Sequence, residues 1–157
     1  MKTYKQFKDQ KGFTLIELLV VIAIIGLLSA VVLASLNSTR AKGADAAMRS
    51  DLRSVQSQAE IIYDDNNPDS YSGLCTNAEV VAMLTHAMNA VGISTALNTT
   101  LATAGSNSTA TCHISADNFT WAIEIPTKAN SSVGWCIDSV GHSRAGTHLG
   151  ASAVVCP

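Results

Sequence analysis

Lys11-Gly12-Phe13-Thr14-Leu15-Ile16-Glu17-Leu18-Leu19-Val20, followed by sixteen further residues to Leu36 with no second charge, is the stretch that decides the fold. As a helix, the 24 residues from Phe13 to Leu36 span roughly 36 Å. A bilayer's hydrocarbon core is about 30 Å thick, so one tilted helix crosses it. Lys2, Lys5, Lys8 and Lys11 stand before the run against Asp9 alone, and positive charge ahead of an apolar segment holds that end in the cytoplasm. A secretory signal has a shorter apolar core, about 7–15 residues, and a cut site behind it. A plain anchor accounts for the length but leaves Glu17 without a reason, because a carboxylate inside a bilayer costs roughly 2.5–3.5 kcal/mol on insertion scales.

Glu17 finds a partner if the chain is cut just upstream. Gly12-Phe13-Thr14-Leu15-Ile16-Glu17, with a long apolar helix behind it, resembles the processing site of type IV pilins and the related pseudopilins. The resemblance implies cleavage between Gly12 and Phe13 by a prepilin peptidase and N-methylation of Phe13. It also implies assembly through Phe13, Thr14 and Glu17, the Glu17 carboxylate meeting the Phe13 amine of its own or a neighbouring subunit. Where many such pilins carry a proline this chain has Ala34, and no proline occurs before Pro68.

Beyond Leu36 the helix changes character without a break. Met48, Leu52, Val55, Ala59 and Ile62 recur every three or four residues, one stripe of a helix, and Asp64-Asp65-Asn66-Asn67-Pro68 stops it. The long helix is thus expected from Phe13 to about Tyr63. Arg40, Lys42, Arg49 and Arg53 interleave with Asp45 and Asp51 and read as a solvated face. Asp64, Asp65 and Asp69 read as a solvated turn, without the glycine and distal glutamate of an EF-hand. Thr76-Asn77-Ala78-Glu79 fits a capping box, which opens a short helix at about 77–91 with Gly92 as its stop and His86 as a structural histidine. Residues 93–107 read as a loop. Thr111–Ser115, Phe119–Ile125, Trp135–Asp138 and 142–144 read as strands of an antiparallel meander. In the second, alternation of Phe119, Trp121, Ile123 and Ile125 with Thr120, Ala122 and Glu124 leaves one apolar face.

The fold class is therefore α+β: a long N-terminal helix, hydrophobic in its first half and amphipathic in its second, on a small antiparallel sheet, as the pilin resemblance also implies. The domain reading is a cytoplasmic leader at 1–12, a membrane or fibre-core helix at 13–36 and a globular head at 37–157. Within the head come the amphipathic helix at 37–63, a loop with a short helix at 64–109, and strands with a disulfide-tied tail at 110–157.

Four cysteines, Cys75, Cys112, Cys136 and Cys156, lie at wide spacing beyond the apolar run. No close C-x-x-C pair suggests zinc, and an even count on the translocated side of a membrane reads as two disulfides. Three pairings are open. Cys136–Cys156, which ties down the tail, and Cys75–Cys112 are the expected ones. His113 beside Cys112 reads as a strand residue, and neither metal nor cofactor is expected. Asn-x-Ser/Thr triplets at Asn37, Asn98, Asn107, Asn118 and Asn130 are weak glycosylation signals in a chain this rich in Asn, Ser and Thr.

Net charge is −2, and +3 of positive charge in the first twelve residues leaves −5 for the remainder. No basic patch supports direct nucleic-acid binding, and no nucleophile elbow, phosphate loop or paired catalytic carboxylates suggest an enzyme. The resemblance implies a structural subunit of a type IV pilus: a homo-oligomeric helical filament, with the prepilin peptidase and an inner-membrane assembly platform as partners. The alternative is a pseudopilin of a type II secretion system, or a competence pilin. Its place would be the cytoplasmic membrane as a single-pass precursor, then an extracellular pilus or periplasmic pseudopilus. Major pseudopilins commonly hold calcium in a carboxy-terminal loop, and no carboxylate side chain follows Asp138 here.

Overall fold

The computed structural model describes residues 12–157; the expected leader, apart from Gly12, lies outside the described residues. Helix α1 spans Leu15–Asp65, and the chain divides into two units after Asn37. In the first unit α1 is apolar on all sides, and every large apolar side chain from Phe13 to Leu36 is exposed. Burying such a side chain is worth about 1.5–3 kcal/mol, so sixteen of them leave several tens of kcal/mol unrealised in water. By length and composition this helix can cross a membrane. Relative to the expected start at Phe13, α1 begins two residues later, because Thr14 serves as its cap.

In the second unit, Met48, Leu52, Val55, Ala59 and Ile62 are all buried, and the stripe of α1 that carries them is the floor of the core. A short 3-10 turn, Leu74–Thr76, leads into α2, Ala78–Val91. Four strands follow: β1 Thr111–Ile114, β2 Trp121–Pro126, β3 Gly134–Asp138 and β4 Ser143–Gly146. They form one sheet in sequence order, every neighbour antiparallel. Val80, Leu84, Ala87, Trp121, Ile123, Ile125 and Ile137 close the core over the α1 stripe. Tyr71 packs its ring against Tyr63 and edge-on to Trp121, with centroids 4.8 and 6.1 Å apart, an arrangement that favours aromatic quadrupoles. This long helix with a four-stranded antiparallel sheet is the α+β, pilin-like architecture.

Three local expectations change. The cap of α2 is Asn77, not Thr76: Asn77 Oδ1 accepts from the amides of Glu79 and Val80 at 3.0 and 3.2 Å, while the Thr76 hydroxyl turns back to Gly73 O. The basic and acidic residues of α1 are not simply a solvated face. Asp45 is buried and accepts from the amides of Lys128 and Ala129 at 2.5 and 3.1 Å, tying the β2–β3 connection to the helix. The Arg49 guanidinium lies 4.1 Å over the Trp135 ring, a cation–π contact. Finally, β2 is buried on both faces rather than one, and Phe119 falls outside it and is exposed.

Candidate functional site

The start of α1 is a capping box. The Thr14 amide and hydroxyl donate to Glu17 Oε2 at 2.9 and 2.6 Å, and the Glu17 amide donates to Thr14 Oγ1 at 3.3 Å. Such a reciprocal pair satisfies backbone donors that a helix start leaves open. Thr14 and Glu17 are thus brought together, with Phe13 next to the cap and 82% exposed. The sequence carried this signal as Thr-x-x-Glu, but the reading of Glu17 as a charge partner for a new amine masked it. The two roles are compatible, because both hydrogen bonds from Thr14 fall on Oε2, and the second carboxylate oxygen, Oε1, can accept from a further donor. At Gly12 an added Cβ would meet nothing within 4 Å among the described residues, so no crowding by them calls for glycine there.

The outer face of the sheet, away from α1, is a second polar arrangement. Loop residues 98–109 and the segment from 147 to the end of the chain cover it. Fully buried Glu124 accepts from the ring of His148 through Nδ1 and from the Leu149 amide. On its far side, the His148 ring reaches Asn107 Oδ1 at 2.9 Å and Ser131 O at 3.0 Å through Nε2. Gly105 and Gly134 make room for this, since a Cβ at either would run into the Glu124 carboxylate. Buried His113 stands between Ala153 O and Thr103 O, 2.8 and 2.9 Å from its two ring nitrogens. It joins tail to loop. Covering the sheet this way is why β2 is buried on both faces.

Asp138, also buried, is the anchor of the tail. It accepts from the amides of Val140, His142 and Cys156 and from His142 Nδ1, at 2.8–3.1 Å. Burial pushes this carboxyl up. The Cys156 amide, the ring and amide of His142, and the His142 charge together outweigh burial and hold it below its ordinary value. A carboxylate lowered in the folded state adds stability above its unfolded pKa, near 3.9, and loses it as pH falls through the folded value. Thermal midpoints taken from about pH 6 down to about pH 2 should therefore fall in acid, and Asp138→Asn should blunt that fall. An acid limb identical in both proteins would contradict the assignment. Beside this anchor Cys136 is bonded to Cys156, with Cα atoms 5.6 Å apart, and Cys75 is bonded to Cys112 at 5.8 Å. Closing a loop of about 20 residues is worth about 3 kcal/mol in the chain-entropy model.

Elsewhere, exposed His86 meets Asp51 at 2.7 Å. Asp64, Asp65 and Asp69 are exposed. No group of three or more His, Cys, Asp or Glu side chains among the described residues is arranged to hold a metal ion. Residues 7–33 match the prokaryotic N-terminal methylation motif, the type of segment that opens type IV pilins and pseudopilins. That match takes in Gly12, Phe13, Thr14 and Glu17. No curated protein and no solved structure matches the chain.

Proposed function

We propose, from a methylation motif set on an exposed apolar helix, that the chain is the structural subunit of a type IV pilus filament and has no catalytic role. The carrying observation is the continuous α1 that begins behind the Thr14–Glu17 cap next to Phe13 and shows every large apolar side chain to Leu36 unburied. Only lipid or other apolar helices can cover such a surface, and a stored precursor followed by a helical bundle supplies both in turn. A prepilin peptidase cuts after Gly12, the Phe13 amine is methylated, and the mature helix passes from bilayer to fibre. The lack of any carboxylate side chain after Asp138, in a tail already closed by a disulfide and buried Asp138, favours the pilus over a pseudopilin whose tail holds calcium.

Because nothing among the described residues crowds Gly12, its smallness is read as serving the peptidase. Gly12→Leu should leave full-length precursor in the membrane, with mature protein reduced to about a tenth or less, an effect of roughly 1.4 kcal/mol. Amino-terminal sequencing and mass analysis of the unaltered protein should find Phe13 first, with one added methyl. Mature protein that began after Ala34 or Leu36 would defeat the proposal.

A further inference from the structure

The head is electrically polarised along α1. From Arg40 to Arg53 the helix carries four cations, Arg40, Lys42, Arg49 and Arg53. The two carboxylates in that stretch are already engaged, Asp45 by backbone amides and Asp51 by His86. From Ser54 to Thr127 the chain has no Lys or Arg. That stretch holds Glu60, Asp64, Asp65, Asp69, Glu79 and Asp117, all exposed.

The fold gathers these acids at one end. Tyr71 donates its hydroxyl to Glu60 and its amide to Asn118 O, which brings the β1–β2 turn to the end of α1. Asp65 and Glu79 line one depression. The β3–β4 turn joins the same end through Ser139, whose amide donates to Trp121 O. Ile61, Phe119 and Val140, each more than half exposed, are carried by these same segments. The other end is marked by Lys128 beside Asp45.

None of Arg40, Lys42, Arg53, Asp64, Asp65 or Asp69 has an ion-pair partner among the described residues. From Lys42 to Asp64 along α1 is roughly 33 Å at 1.5 Å per residue, about four Debye lengths at physiological salt. The two ends therefore do not neutralise each other within one head. Between them, Gly43, Ala47, Ser50, Ser54 and Ser57 are exposed at intervals of four and three, one helical face that no element among the described residues covers and on which these positions carry no long side chain to hold a partner off.

We infer that this face of α1, with its basic flank, is the docking surface for the acidic, apolar-tipped end of a second copy of the chain. The contact rests on the filament reading but makes its own demand: the acidic end of one head meets the α1 face and basic flank of another, in one polarity, through opposite charge. Of possible occupants, the second copy is the one whose complementary surface is on the same molecule. Electrostatic matching of this kind sets register and excludes wrong orientations more than it adds affinity.

Paired reversals test it in the full-length chain. Asp64→Lys with Asp65→Lys, and separately Arg40→Glu with Lys42→Glu, should each leave cleavage and methylation intact and cut sheared filaments about tenfold. All four changes together should restore the yield to within about twofold. Carbodiimide, which joins a carboxylate to an amine without a spacer, should link Lys42 to Asp64, Asp65 or Asp69 in detergent-extracted or filamentous protein. Along one rigid helix Lys42 and Asp64 are too far apart for such a bond, so a Lys42–Asp64 peptide reports two copies. Unchanged filaments in both pairs, no recovery in the quadruple variant, or no Lys42 cross-link would each overturn the inference. If unaltered chain is cut and methylated yet makes no filament, the filament proposal fails, and the cross-link alone decides the docking contact.

Discussion

Glu17→Gln is expected to leave the subunit cut, methylated and seated in the membrane while sheared filaments all but vanish. Glutamine keeps a side-chain acceptor at the third position of the helix, so the capping box with Thr14 survives. It removes only the charge. In a fibre core the Phe13 ammonium would then lie among Leu, Ile and Val side chains without a counter-ion. Stripping one partner from a buried ion pair costs about 3–5 kcal/mol, which is about a hundredfold or more in the equilibrium of each added subunit.

Glu17→Val removes cap and charge together, and comparison of the two separates the roles. Normal filaments from Gln and none from Val would make Glu17 a helix cap and nothing more. Accumulated precursor in both would make it a peptidase recognition residue. Immunoblots for precursor and mature subunit, beside a count of sheared filaments, read all of these. Abundant filaments from both variants would leave Glu17 without any part in assembly.

The other large effect is expected at His148. His148→Ala strips fully buried Glu124 of its ring partner and leaves its carboxyl group with the Leu149 amide alone. The loss should again be about 3–5 kcal/mol, a fall of roughly 10–20 °C in the unfolding midpoint for a head of this size. His86→Ala is the internal control. It breaks a histidine–carboxylate contact of ordinary length, 2.7 Å, but on a ring that is 76% exposed, and such pairs are worth about 0–1 kcal/mol. Near-ultraviolet circular dichroism of Trp121 and Trp135 through thermal unfolding measures both. Equal midpoints for the two variants would show that burial of Glu124 does not govern the contact.

The elements were legible where one periodicity ran long enough. The spacing of Met48, Leu52, Val55, Ala59 and Ile62 located the core side of α1, and alternation through Trp121, Ile123 and Ile125 located β2. What lay opposite those faces was not legible. Strand alternation says that Glu124 points away from the aliphatic core, yet it is silent on what covers it. The cover comes from residues 98–109 and 147–157, which have no repeat of their own and owe their place to His113, His148 and Asp138. Asp45 misled for the same reason: its partners are amides of residues 128 and 129, more than 80 positions away. At the start of α1 the difficulty was of another kind. Thr14-x-x-Glu17 carries a local signal and a possible long-range one in the same four residues, and only the geometry shows the local one being used.

The two disulfides also bear on how the head withstands proteolysis. Cys75–Cys112 encloses α2 and the irregular stretch that follows it, and Cys136–Cys156 encloses the β3–β4 turn and most of the tail. A protease that cuts once within either ring opens the chain there but sheds nothing, since the pieces stay covalently joined. The least regular polypeptide of the head, between Gly92 and Ala110 and between Thr147 and Val155, is all inside these rings. Wear at those places is converted from loss of a fragment into a nick.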